Sequence, residues 1–204
     1  MRLGITLRVL VIVGLALATG GCLRKEGGPP PPAVESVGVL PTASPTGGAP
    51  PPSTTPPAAE PLAATGVGPY AVGAKLATLK SAGALTKINE STGCPGWATA
   101  EGTGLYAGKV TVIFYQGAVN WIEVKSSGLS TMDGAKVGMT LAVVKGIYGS
   151  KGTELTDGLG GKALSVHGKG GLGLFFRTKD GTVNVIEAGK SETLEFRFTD
   201  GEGC

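Results

Sequence analysis

The stretch VGMTLAVVK at residues 137–145 decides how this chain is expected to fold, because the earlier stretch VGAKLATLK at residues 72–80 has the same pattern. Both follow V-G-x-x-L-A-x-x-K, and both run on to a glycine, Gly83 after the first and Gly149 after the second. Apolar residues at helical spacing predict a short helix, of about two to three turns, in each copy. Thr140 is a suitable N-cap, and the two glycines stand where a left-handed residue commonly ends a helix.

A second pair of matching stretches follows, again about 65 residues apart. GAVNWIE at residues 117–123 matches GTVNVIE at residues 181–187, and each belongs to a predicted β-hairpin. The predicted hairpin strands are residues 110–115 and 118–125, joined by Gln116-Gly117, and residues 172–178 and 182–188, joined by Lys179-Asp180-Gly181. Further strands are predicted at residues 97–100 and 163–166, and the alternation of Leu194, Phe196 and Phe198 with polar residues predicts a last strand.

Repetition of two motifs in the same order predicts an α+β domain made of two tandem repeats. Repeat 1 covers about residues 66–130 and repeat 2 about residues 131–204, each a short helix (or helical pair) followed by an antiparallel meander. The helices would cover one face of the sheet and leave the other open to solvent or a partner.

The stretch VGMTLAVVKGIYG at residues 137–149, followed by antiparallel strands, resembles the fold of small outer-membrane-assembly lipoproteins. Two such units in tandem are similar to the secreted β-lactamase inhibitory proteins, whose paired repeats present a concave sheet to a target enzyme. The resemblance covers residues 66–204 and implies a fold and a binding role, but it assigns no binding residue on this chain.

The first 21 residues read as a secretory signal, with Arg2 and Arg8 before an apolar run at residues 9–18. This run is about half the length of roughly 20 residues that a transmembrane helix needs. Small residues directly before Cys22 resemble the bacterial lipobox, in which the cysteine sulfur is lipidated. An ordinary secreted protein is the alternative, but lipidation of Cys22 and anchoring in a membrane are the prediction.

Residues 22–65 contain the lipidated cysteine and a tether rich in Pro, Ala, Gly, Ser and Thr. This segment has no aromatic residue and no apolar periodicity, so it cannot bury enough surface to offset chain entropy. An extended proline-rich chain of this length would reach roughly 130 Å from the membrane.

The two remaining cysteines, Cys94 and Cys204, are an even pair in an oxidising compartment, and a disulfide between them is predicted. Closing a loop of that length stabilises a fold by roughly 4–5 kcal/mol in the chain-entropy model.

Charge and motif content argue against several functions. Loss of Arg2 and Arg8 with the signal leaves 16 basic against 15 acidic residues, with no basic block for nucleic acid. The single histidine, His167, lies in a glycine-rich loop, and no spacing of His, Cys, Asp and Glu predicts a metal site. No nucleophile, P-loop or metalloprotease motif is present, so the expectation is a non-enzyme without cofactor or metal.

Strand alternation divides the predicted hairpin residues between two faces. Val112, Phe114, Leu174 and Phe176, with Leu194, Phe196 and Phe198, are expected to face the helices. The candidate binding residues on the open face are Tyr115, Trp121, Glu123, Phe175, Arg177 and Arg197, accompanied by Ile113 and Glu187. Aromatic residues and arginine on one surface are typical of interface hot spots, although such side chains also fill the second side of a sheet against a loop.

Together these features predict a non-catalytic, lipid-anchored protein of the bacterial cell envelope, outside the cytoplasm, that binds another envelope or extracellular protein through the open sheet face. Two alternatives stay open: an accessory lipoprotein of envelope assembly, and an inhibitor of a secreted or periplasmic enzyme such as a β-lactamase.

Overall fold

The computed structural model describes residues 58–201. Three helices lie in this range: α1 (Leu76–Ser81), α2 (Leu141–Tyr148) and α3 (Ser191–Thr199). The strands of this range are β1 (Gly66–Val67), β2 (Tyr70–Ala71), β3 (Leu85–Glu90), β4 (Trp97–Gly102), β5 (Val110–Tyr115), β6 (Ala118–Val124), β7 (Gly152–Thr156), β8 (Lys162–His167), β9 (Leu172–Lys179) and β10 (Thr182–Lys190).

The described part of the chain is mostly β-structure. Eight strands form one antiparallel sheet in the order β3-β4-β5-β6-β10-β9-β8-β7, and β1 pairs with β2 in a separate two-stranded sheet. The prediction of an α+β fold of two tandem repeats, each a helix over its own meander, is therefore wrong. The strands do not separate into two units because β6 pairs with β10, with Glu123 opposite Glu187. The three helices are also short, with six, eight and nine residues.

The helices are short because the V-G residues of the recurring motif form a turn and not the first turn of a helix. In both copies these residues bond to the hairpin turn that follows in sequence, and the helix begins only at the leucine. The matching N–H to C=O bonds, 2.8 to 3.0 Å long, run from Gly73 to Val119 and Leu76 to Gly117, and from Gly138 to Val183 and Leu141 to Gly181. The Thr140 hydroxyl accepts from the Val143 N–H, as predicted for an N-cap, and Gly149 has a φ of 54° at the end of α2.

The predicted hairpins and the two further strands are confirmed. β5 and β6 are joined by Gln116 and Gly117, and β9 and β10 by Asp180 and Gly181. All four turn residues have positive φ, as a two-residue turn of the I′ type requires. β4 and β8 contain the strands predicted at residues 97–100 and 163–166.

The main core lies on the face of the sheet that carries α1 and α2. Val112, Phe114, Leu174 and Phe176 all point into this core, as the alternation predicted. Tyr148 of α2 packs on Phe176 with ring centroids 5.3 Å apart. The N-terminal side of the domain closes the same core, where the buried Leu62 donates its N–H to the Ser130 carbonyl.

The predicted last strand is wrong, since residues 191–199 form α3 on the opposite face of the sheet. β10 already has β9 on one side and β6 on the other, so the segment that follows it has no free neighbour with which to pair. Leu194 and Phe198 are also four residues apart, which suits one helix face as well as alternate strand positions. Phe196, between them, is 63% exposed.

The predicted signal, Cys22 and the tether as far as residue 57 lie outside the described residues, as does Cys204. Lipidation of Cys22 and the bond between Cys94 and Cys204 therefore stay predictions. Residues 58–65, which were predicted to end the tether, instead pack against the domain, where Leu62 is buried. Within residues 58–201, no helix has both the length and the apolar character needed to cross a membrane.

Candidate functional site

The site lies on the second face of the sheet, the face away from α1 and α2. A separate apolar cluster on this face contains Ile113, Trp121 and Phe175, with Trp97 packed against its margin. Cross-strand neighbours on this face form three rows: Trp97–Tyr115; Thr99–Ile113–Trp121–Gly189; and Glu101–Thr111–Glu123–Glu187.

One half of the second face, over β4 and β5, is left uncovered by α3. We call its surface, formed by Trp97, Thr99, Ile113 and Tyr115, the aromatic ledge. The ring centroids of Trp97 and Tyr115 are 4.8 Å apart, and Tyr115 is 42% exposed. Trp97 also meets the edge of Trp121 with a centroid separation of 5.4 Å. Trp97 thus contacts the rings of both Tyr115 and Trp121, and these contacts restrict the positions of the aromatic side chains on the ledge.

The other half of the second face, over β8, β9 and β10, is covered by α3. Leu194 is fully buried there with Ala163 and Phe175. Phe198 meets the Phe175 ring edge-on at a centroid distance of 5.4 Å. Gly173 allows α3 to approach β9 closely, because a Cβ there would meet the Ser191 side chain of α3. Gly189, in turn, leaves room for the Trp121 side chain on the neighbouring strand.

A buried carboxylate lies where the covered half meets the ledge. Glu187 is 1% exposed and accepts from Arg177 Nε at 2.9 Å and from Arg197 Nη1 at 3.1 Å. Burial raises the pKa of the Glu187 carboxyl, an effect that the two guanidinium groups oppose and that neighbouring Glu123 reinforces. Two arginines on one buried carboxylate satisfy its charge and fix its orientation.

Trp121 connects the buried carboxylate to the ledge. The Arg197 guanidinium lies over the Trp121 ring, 3.8 Å from its centroid, in a cation–π contact. The indole Nε1–H donates to Glu123 Oε1 at 3.3 Å, and Lys125 pairs with Glu123 at 2.6 Å. Trp121 itself is 5% exposed, so its contacts are made within the protein.

A second polar contact holds the middle of α3. The Glu195 carboxylate accepts from the Ser165 hydroxyl and also contacts His167 Nε2, both at 2.5 Å. A serine-hydrolase triad places the histidine between the serine and the acid. Here the carboxylate lies between the other two groups, so the arrangement fastens α3 to β8 and does not activate the Ser165 hydroxyl.

The structure brings four of the six predicted binding residues into one cluster, but mostly out of reach of solvent. Around Glu187, Arg177 and Arg197 bond its carboxylate directly. Trp121 contacts Arg197 and donates to Glu123. Strand alternation assigned the residues of β5, β6 and β9 to the correct face of the sheet, but Phe175 on that face is buried under α3. Tyr115 is the one of the six that is exposed on the ledge.

Two contributors to the site were missed. Trp97 was assigned to a strand but not to the binding face, although its position two residues before Thr99 and opposite Tyr115 places it there. Glu195 was assigned to a strand, and only the helix brings it to Ser165 and His167. Within residues 58–201, no group of three or more His, Cys, Asp and Glu side chains is placed to hold a metal ion.

Comparison with known proteins gives no relative: no family model matches the chain, and neither a curated protein nor a solved structure is similar to it.

Proposed function

We propose that this protein is a non-catalytic, lipid-anchored protein of the cell envelope that binds another protein through the aromatic ledge. The observation that carries the proposal is the series of contacting rings Tyr115, Trp97 and Trp121, which runs from the exposed Tyr115 on the ledge to the buried Trp121 beside it. Tryptophan and tyrosine contribute most often to binding energy at protein interfaces, particularly when their neighbours hold them rigidly.

The charges around the ledge favour a partner that presents apolar or aromatic side chains. Glu101 and Glu123 flank the ledge, and each carboxylate already pairs with a lysine, Lys87 at 3.0 Å and Lys125 at 2.6 Å. The ledge therefore has little net charge of its own to offer an ionic partner. We expect the affinity to depend on apolar contact and to change little with salt concentration, since screened surface charges contribute little.

The proposed place in the cell rests on the N-terminal sequence. A lipid on Cys22 would attach the protein to a membrane, and the proline-rich segment would hold the domain at a distance from that membrane. Each acyl chain adds about 0.8 kcal/mol per buried CH₂, so several chains anchor a protein stably.

Capture of the partner from an envelope extract tests the binding proposal when paired variants are compared. The full chain is used as bait in three forms: unchanged, with Thr99→Arg and Tyr115→Ser together, and with Val143→Ser. Thr99 and Tyr115 are exposed on the ledge, so their replacement leaves the core intact. Val143 is 51% exposed on α2, on the opposite side of the sheet, and serves as the matched control.

A protein that is retained by the unchanged chain and by Val143→Ser, but lost with the ledge variant, is the expected result. Retention by all three forms would refute the ledge as the binding surface. A partner that is a soluble secreted enzyme would favour the inhibitor alternative, and a membrane-assembly component would favour the accessory alternative.

Metabolic labelling with a fatty acid tests the anchor separately. We expect the unchanged chain to incorporate the label and the Cys22→Ser variant to lose it. Equal labelling of both forms would show that Cys22 is not the lipidated residue.

A further inference from the structure

α3 packs on the second face of the sheet as a separate segment and is not one of its strands. It follows β10 directly, since Lys190 is the last residue of β10 and Ser191 the first of α3. Its main contacts within the described chain are with β8, β9 and β10, and its outer side carries the exposed Phe196. An isolated helix of nine residues is marginal in water, so α3 is helical because it is docked.

The sequence of α3 adds little helical stability of its own. The N-cap residue, Lys190, makes no side-chain capping bond. Phe and Thr occupy four of the nine helical positions, and both have lower helix propensity than Ala or Leu. The same segment also has the alternation of a strand, so its conformation is set by the surface that receives it.

The sheet recognises α3 by two kinds of side chain on one helix face. Leu194 enters the apolar cluster with Phe175 and Ala163. Three residues later, Arg197 places its guanidinium between the Trp121 ring, at 3.8 Å, and the buried Glu187 carboxylate, at 3.1 Å. An apolar residue followed three positions later by a cation is thus the pattern to which this half of the face is complementary.

Trp121 joins this half of the face to the ledge, because its indole contacts both Arg197 of α3 and Trp97 of the ledge. A partner on the ledge would touch Trp97 directly. A partner that also replaced α3 would gain the Trp121 and Phe175 surfaces and the Glu187 carboxylate, so the two halves form one continuous binding surface.

We propose that α3 is an exchangeable occupant of this surface, and that the partner docks a helical segment of the same chemistry in its place. That segment carries an apolar residue and, three positions later, an arginine or lysine, which would take the places of Leu194 and Arg197. This inference rests on the proposed function and adds to it the chemistry of the partner. In the resting protein, α3 competes for the surface at the high effective concentration of a covalently attached segment.

A peptide made from the chain's own residues 190–201 tests the exchange. Its binding to the full chain is measured by fluorescence anisotropy for the unchanged protein and for the Leu194→Ala/Arg197→Ala variant, whose own α3 is weakened. We expect the peptide to bind the variant at least about tenfold more tightly, because the intramolecular competitor is weaker. A peptide with Arg197→Met should lose at least about tenfold in affinity, whereas a peptide with Phe196→Ser, altered on the exposed side, should keep its affinity.

Equal peptide binding to the two proteins, or no binding to a variant whose sheet is intact by circular dichroism, would overturn the inference. If the variant does not fold, hydrogen exchange of the unchanged protein decides the matter. Amides of α3 are expected to exchange their hydrogens at least about 100-fold faster than those of β6 and β10. Equal rates would overturn the inference that α3 can be replaced. If these tests show that α3 is not replaced, while capture of the partner still depends on Tyr115, the ledge remains the binding surface and only the role of α3 is refuted.

Discussion

Replacement of Arg197 by methionine measures how strongly α3 is fastened to the sheet. The substitution keeps an unbranched side chain but removes the guanidinium from the Glu187 carboxylate, at 3.1 Å, and from the Trp121 ring, at 3.8 Å. Removing one partner of a buried ion pair typically costs about 3–5 kcal/mol. Glu187 keeps Arg177 at 2.9 Å and is not left unpaired, so the cost falls below that range, to about 2 kcal/mol, and loss of the cation–π contact adds about 1 kcal/mol.

We therefore expect Arg197→Met to lower the free energy of unfolding by about 3 kcal/mol, measured by urea denaturation with circular dichroism. Lys87→Met is the matched control: its ion pair with Glu101 is largely exposed, and such pairs contribute less than about 1 kcal/mol. A double-mutant cycle with Glu187→Gln should give a coupling of about 1–3 kcal/mol between residues 187 and 197. A loss below about 0.5 kcal/mol for Arg197→Met, with no coupling, would refute the reasoning that this contact holds α3.

Three further predictions concern other parts of the domain. Gly189→Ala should cost about 1–3 kcal/mol of stability in urea denaturation, because its Cβ would lie 2.8 Å from the Cβ of Trp121, and an unchanged midpoint would contradict this. Burial raises the pKa of Tyr148 to about 12, so the stability that depends on its protonated form is retained below pH 10 and lost as the pH rises towards 12. A pH series of urea denaturations should show this loss, which Tyr148→Phe should lessen; an identical loss in the variant would exclude Tyr148 as its source. Thiol titration of the unreduced, unfolded Cys22→Ser chain should find no free thiol if Cys94 and Cys204 are bonded, and two free thiols would refute the disulfide.

Local features of the sheet were predictable because each depends on neighbouring residues. Gln116-Gly117 and Asp180-Gly181 give tight turns that only glycine and a few polar residues adopt easily, and strand alternation then places Phe114 and Phe176 in the core. The N-cap at Thr140 is local in the same sense. Such features need no knowledge of the rest of the fold.

The joining of the sheet and the placement of α3 depend on distant contacts and were not predictable in the same way. The sequences of β6 and β10 do not predict that the two strands pair, because the composition of each would suit an edge strand or a central strand. Residues 194–198 suit a strand or a helix, and the choice follows from the absence of a free place beside β10. Trp121 and Arg197 were predicted to share a face and do so, but Arg197 reaches it from a helix.

The aromatic ledge is the central claim, and photo-cross-linking at position 115 tests it most directly. A photoreactive phenylalanine analogue replaces Tyr115 in one chain and Val143 in another, both of which are exposed but on opposite sides of the sheet. On irradiation of intact cells, we predict one specific protein adduct from position 115, abolished by Thr99→Arg in the same chain, and no such adduct from position 143. The same adduct from both positions, or none from position 115 in cells that carry the folded protein, would contradict the account.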